Sequence, residues 1–174
     1  GVLPAVLVPY FQKRCKDTDK ILKAMYVAAG IGQIIATRYS ISGAAGGCQA
    51  EIGSASSMAA GALTYLQGGN CEQIATAAAM AMKNLLGLVC DPVAGLVEVP
   101  CVKRNVIGTV NAMACADMAM AGIVSRIPPD QVMDAMKEVG DKMDASLRET
   151  ALGGLAQTEE GMKIAEKMHA SYKN

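Results

Sequence analysis

Apolar positions recur every three or four residues along most of the chain, and no stretch alternates with a period of two. That pattern predicts helices and no sheet. Pro4 suits the first turn of a helix running to about residue 15. Asp17-Thr18-Asp19 caps a second helix, about 19–37, with Ile21, Leu22, Met25, Val27, Ile31 and Ile34 as its apolar stripe. Residues 40–47, Ser-Ile-Ser-Gly-Ala-Ala-Gly-Gly, read as a glycine-rich loop leading into Cys48, and a third helix covers about 49–67. Gly68-Gly69 ends it. Asn70 caps the next, about 71–86, with Gln73 in the capping-box position. A loop then spans residues 90–101, followed by a Met- and Ala-rich helix over about 104–124. Pro128-Pro129 starts an amphipathic helix to about Leu147, and Thr158 caps a short charged helix at the C-terminal end.

Between Tyr39 and Cys90 only Glu51, Glu72 and Lys83 are charged. Helices with almost no polar face belong at the centre of a fold. The uncharged stretch over residues 52–70 is long enough to span a bilayer. Its Ser, Thr, Gln, Asn and Gly residues predict burial in protein rather than lipid. The expectation is one all-α domain over residues 1–174, compact and multi-helical, with central helices rich in small residues and a cysteine-bearing loop. Aromatics are 3% of the chain, so Ala, Val, Ile, Leu and twelve Met must build the core. Net charge is zero, and the basic runs Lys13-Arg14 and Lys103-Arg104 are too short to suggest a nucleic-acid face.

Six cysteines in a core-rich chain point to a reducing compartment, the cytoplasm, rather than to a disulfide scaffold. Cys15, Cys71 and Cys115 fall in helices or at a helix start and read as small apolar fillers. Cys48, Cys90 and Cys101 fall on loops or helix edges, and Pro92 and Pro100 stiffen the backbone beside the last two. From spacing alone, two readings stay open: six buried thiols, or a liganding trio. Zinc favours paired CxxC or His ligands, and neither occurs. Three thiolates without an obvious fourth ligand suit an iron–sulfur cluster with one iron open.

The segments Gly47-Cys48-Gln49-Ala50-Glu51 and Cys90-Asp91-Pro92-Val93-Ala94-Gly95-Leu96-Val97-Glu98-Val99-Pro100-Cys101-Val102-Lys103-Arg104-Asn105 resemble the α chain of the bacterial iron–sulfur L-serine dehydratases. Leu147-Arg148-Glu149-Thr150-Ala151-Leu152-Gly153-Gly154-Leu155-Ala156 is similar to that family's C-terminal signature. The resemblance implies deamination of L-serine to pyruvate and ammonia through a [4Fe–4S] cluster. It implies Cys48, Cys90 and Cys101 as the ligands, with the open iron acting as a Lewis acid on the substrate hydroxyl. Single-chain members carry a cysteine near the C-terminus. This chain ends His169-Ala-Ser-Tyr-Lys-Asn174, so it resembles the two-subunit type, which implies a β subunit. Family α chains begin well before residue 1, so the chain reads as a fragment, inactive alone, with the catalytic base outside it.

Around that cluster Lys103 and Arg104 read either as substrate-carboxylate ligands or as a solvated helix start. Asn105 reads as a substrate-orienting group or a helix cap. Glu51 and Glu98 read either as hydrogen-bonding groups within the site or, in preference, as structural ion-pair partners of these bases. Asp91 before Pro92 reads as a turn residue or cap. Arg148 and Glu149 read as an ion pair, within a helix or across a docking face. Met113, Met118, Met120, Met133 and Met136 read as core, and His169 as a solvated helix residue. The alternatives are a desulfidase-type elimination of L-cysteine on the same scaffold, and a non-catalytic helical assembly module.

Overall fold

The computed structural model describes residues 1–171. Its helices are α1 (Val2–Lys13), α2 (Thr18–Arg38), the one-turn α3 (Gly43–Gly46), α4 (Ser54–Leu66), α5 (Cys71–Lys83), α6 (Cys101–Met120), α7 (Pro129–Lys142) and α8 (Glu159–Ser171). A π-helical turn, Gln49–Gly53, leads directly into α4. Among the described residues no strand forms, so the chain is all-α. The caps fall where the sequence places them. Asp17 accepts from the amides of Asp19 and Lys20. Asn70 and Gln73 close a reciprocal capping box at the start of α5.

The centre of the fold is α4, packed against α1, α2, α5 and α6. Its buried positions are nearly all small, with Ser56, Ala59, Ala60, Ala62 and Thr64 inaccessible to solvent. Small side chains let neighbouring backbones approach, but they bring hydroxyls into the core. Buried hydroxyls need acceptors. Ser56 Oγ donates to Gly108 O, Ser57 Oγ to Ala78 O and Thr64 Oγ1 to Ala60 O, each at 2.8 Å. The apolar stretch over residues 52–70 is therefore buried in protein, and no described helix is long and apolar enough to cross a membrane.

Several expectations need correction. On α2 the face against α4 is Ala24 and Ala28, and Ile35 packs instead with Met82 and Met136, while Leu22, Met25 and Ile34 are about half exposed. Close packing on α4 selects small residues, so the larger members of the predicted stripe turn outward. On α6, Met113 is likewise half exposed and lies on an outward apolar stripe with Val102, Val106 and Val110. The other predicted core methionines are buried or half-buried. Residues 43–46 form a helical turn rather than open loop. The helix predicted from 104 begins at Cys101 and ends at Met120. The helix predicted to Leu147 stops at Lys142. A separate 3₁₀ turn, Ala145–Leu147, follows, with Asp144 accepting from the Ser146 amide. Cys71 is exposed at the first position of α5, so it is not a filler.

Candidate metal centre

The loop over residues 90–101 folds back over the glycine-rich segment through its neighbours. Cys90 N donates to Leu147 O at 2.8 Å, and Glu149 N donates to Cys90 O at 2.7 Å. This bridge ties Cys90 to the remote segment 147–149. Glu149 and Ala151 beside it adopt positive φ, +64° and +56°, as does Ala94 within the loop at +56°. Left-handed non-glycine residues persist only where surrounding structure enforces them, and they cluster at functional sites. Cys48 follows Gly47, and its neighbour Gln49 is buried. Gln49 N donates to Leu88 O at 2.9 Å, its Nε2 to Met136 O, and its Oε1 accepts from Gly87 N.

These contacts bring together residues 42 positions apart in the chain. The sulfurs of Cys48 and Cys90 and a carboxylate oxygen of Glu51 all lie within 4.8 Å of one another. Cys101, buried at the first position of α6, stands outside that group but near enough for Cys48 and Glu51 to act on its charge. Both cysteines of the group are buried, whereas Glu51 is exposed. All six cysteines are free thiols.

The electrostatics hold these thiols neutral. Burial pushes the Cys48 thiol up, although a hydrogen bond from Cys90 and the charge of Arg104 pull it down. Burial and then Cys48 push Cys90 well above the usual thiol range. Burial and then Cys48 raise Cys101. Dehydrated thiols this close resist ionisation until a bound metal supplies the opposing charge. Burial raises Cys115, in α6, to about 11 against the opposing charge of Lys83, as expected of a filler.

Arg104 is the cation already in place. Its Nη1 donates to Asp91 Oδ1 at 2.7 Å and to Val89 O at 2.8 Å, and stands 3.9 Å from Cys48 Sγ. Burial opposes its charge, but Asp91 and Cys48 favour it, so its pKa is raised overall. Asp91 is thus no simple turn residue. It is buried, and it takes the ion pair expected of Glu51 or Glu98, neither of which makes one among the described residues. Lys103 is exposed, one position before Arg104. Asn105 is half-buried and donates from Nδ2 to Cys101 O at 3.0 Å. Arg148 Nη1 points toward Ala45 O at 3.5 Å rather than to Glu149. His169 is exposed on α8 and lines a groove with Ala94, Gly95 and Thr150.

The residues present fit an iron–sulfur group. The donors are soft thiolates, which favour such clusters over hard cations. The surroundings are also cut to sulfur: a Cβ on Gly43 would sit 3.0 Å from Cys90 Sγ and 3.1 Å from Glu51 Oε2. Asp91 was the residue that sequence reasoning missed, because Asp-Pro is a common turn pair and its partner lies thirteen positions on.

A family model described as serine dehydratase alpha chain matches residues 1–156. The chain is 54% identical over 168 residues to the probable L-serine dehydratase, alpha chain, of Bacillus subtilis (strain 168), covering 97% of this chain and 56% of that protein. It is 54% identical over 164 residues to the probable L-serine dehydratase, alpha chain, of Latilactobacillus sakei, covering 94% and 78%. To the L-serine dehydratase, alpha chain, of Peptoniphilus asaccharolyticus it is 50% identical, covering 94% and 56%. The chain thus spans little more than half the length of two of these relatives. The match runs through the cysteine loop and the segment that clasps it, and by it the chain belongs to the serine dehydratase alpha chain family.

Proposed function

We propose that this chain is the cluster-binding part of an L-serine dehydratase, which converts L-serine to pyruvate and ammonia. The observation that carries the reading is the meeting of Cys48 and Cys90, buried and within 4.8 Å, with Cys101 nearby at the start of α6. Cys48, Cys90 and Cys101 would hold a [4Fe–4S] group. When bound, that group supplies a Lewis-acidic iron that favours departure of the substrate hydroxyl. The chain supplies the setting. The buried thiols exclude water, and the dipole at the N-terminal end of α6 favours negative charge beside Cys101. Lys103 and Arg104, on the first turn of α6, would meet the substrate carboxylate, Arg104 with one nitrogen already engaged by the chain's own acceptors. Asn105 would orient the substrate. A non-catalytic module has no need of two buried thiols meeting beside an arginine that faces one of them.

The α-proton must leave to a base, and we place that base in the part of the longer protein beyond these residues. A fragment inactive by itself, completed by further chain and a β subunit in the cytoplasm, agrees with the longer relatives. The outward apolar stripe of Val102, Val106, Val110 and Met113 on α6 gives such chain a surface to cover. We read residues 1–174 as one domain of that protein.

The test is anaerobic reconstitution of the full-length protein with ferrous iron and sulfide, followed by parallel assays. Pyruvate from L-serine, with little sulfide from L-cysteine, is the expected result. Sulfide release in excess of pyruvate would assign the scaffold to cysteine elimination, and uptake of no iron would remove the enzyme reading.

Gly43→Ala probes the fit independently. Its Cβ would crowd Cys90 Sγ at 3.0 Å, so either the sulfur or the turn must shift by a few tenths of an ångström. Displacement of this order around ligands costs about 10-fold in metal affinity. Iron and sulfide analysis after desalting should show that loss while circular dichroism stays unchanged.

A further inference from the structure

The buried carboxylate of Asp91 has no part in the reaction described so far. Its side chain is 4% exposed, and that of its partner Arg104 is 17% exposed. Two donors converge on it: Arg104 Nη1 on Oδ1 at 2.7 Å, and the Leu155 amide on Oδ2 at 2.8 Å. The same arginine nitrogen donates to Val89 O at 2.8 Å and reaches Cys48 Sγ at 3.9 Å. One ion pair therefore touches the chain on both sides of Cys90, the sulfur of Cys48, the first turn of α6 and residue 155. Gly154 shows how closely the last of these is fitted. It has φ of +60°, and a Cβ there would lie 2.7 Å from Asp91 Cβ and 2.9 Å from its Cγ.

Taking two such ions out of water costs several kcal/mol each, and their attraction offsets that only with good geometry and added hydrogen bonds. A buried pair is therefore weak evidence of a stability role. This pair is placed where a charge has another use, because Arg104 faces a sulfur.

We propose that Asp91 and Arg104 are positioning residues for the metal centre. Asp91 fixes the guanidinium so that its charge stands against the Cys48 sulfur, and it ties the cysteine loop to the segment at Gly154 and Leu155. The proposal rests on the iron–sulfur reading above. Net charge and hydrogen bonds to the ligating sulfurs set a cluster's reduction potential. A fixed positive charge favours the more negative, reduced state, so its removal lowers the potential. Lysine keeps the charge but carries it on a flexible stem, whereas the rigid guanidinium holds Nη1 against Asp91, Val89 and Cys48 together.

The experiment compares the full-length protein with Arg104→Gln, Arg104→Lys and Asp91→Asn after anaerobic reconstitution with ferrous iron and sulfide. The readouts are iron and sulfide per chain, the potential from a spectroscopic redox titration, the rate of cluster loss in air, and circular dichroism. Arg104→Gln should lower the potential and lose its cluster about 10-fold faster or more. Asp91→Asn should shift both in the same direction, less far. Arg104→Lys should restore the potential and not the retention, a split that a purely structural residue would not produce. Folded Arg104→Gln with wild-type potential and loss rate overturns the proposal. Should that variant fail to fold, the nearly isosteric Asp91→Asn decides, and unchanged values there overturn it. Wild type that binds no iron or sulfide fails at the earlier step and removes the iron–sulfur reading itself.

Discussion

Replacing Cys90 with alanine in the full-length protein is expected to abolish iron and sulfide retention and to lower pyruvate formation from L-serine by more than about 100-fold, since even residues that only orient ligands cost 10- to 100-fold. Stability should fall by no more than about 1 kcal/mol, as expected of a buried cysteine cut to alanine. The side chain is small, and Cys90 is held by its backbone, which donates to Leu147 and accepts from Glu149 regardless of the side chain. Two other cysteines supply the controls. Cys115 is fully buried in the core of α6, so Cys115→Ala should cost about 1 kcal/mol of stability and leave the iron content alone. Cys71 is exposed, so Cys71→Ala should fall within about 0.5 kcal/mol of wild type in both directions. Metal analysis of the three variants, beside their thermal melts, separates ligand loss from unfolding. Unchanged iron and pyruvate in Cys90→Ala would show that the ligand set is wrong.

The helices were legible where local chemistry declares them. Asp17, Asn70 with Gln73, Gly68-Gly69 and Pro128-Pro129 mark ends by capping or by backbone restraint, and each acts within a few residues. Features decided across the fold were not legible. The stripe on α2 was apolar as read, but which of its sides meets α4 depends on how closely α4 admits a neighbour. The start of α6 at Cys101 was hidden by Pro100, which reads as loop although it serves as the N-cap. Around the site, the cysteines were separable by their loop positions, yet the Asp91–Arg104 pair was not. It joins a residue that looks like a turn to one that looks like a solvated helix start. Nor do Glu149 and Ala151 announce a left-handed backbone, since glycine is the residue that signals it and neither position has one.

Gly47 does carry that signal, and Gly47→Ala is expected to be the most damaging single glycine substitution near the site. Its φ of +75° and ψ of 179° lie in a region essentially reserved to glycine, where any side chain costs about 1–3 kcal/mol. Space adds to the strain. A Cβ would lie 2.8 Å from Leu88 O and 2.6 Å from Met143 Sδ. The methionine can turn aside, but Leu88 O accepts from the Gln49 amide at 2.9 Å and cannot withdraw without breaking that bond. Strain and overpacking together imply about 3 kcal/mol, or a melting temperature lower by about 10 °C in a chain of this size. Gly68 provides the comparison, because it has φ of +90° with nothing within 4 Å of an added Cβ. Gly68→Ala should therefore show backbone strain alone, about 1–2 kcal/mol. The difference between the two melts reports the collision with Leu88 together with the harsher backbone region of Gly47. Because that carbonyl and Gln49 together place Cys48, Gly47→Ala should also lose iron at temperatures where it remains folded, whereas Gly68→Ala should not. Equal melts for the two variants, or full iron content in Gly47→Ala, would mean that the turn before Cys48 has more freedom than its geometry shows.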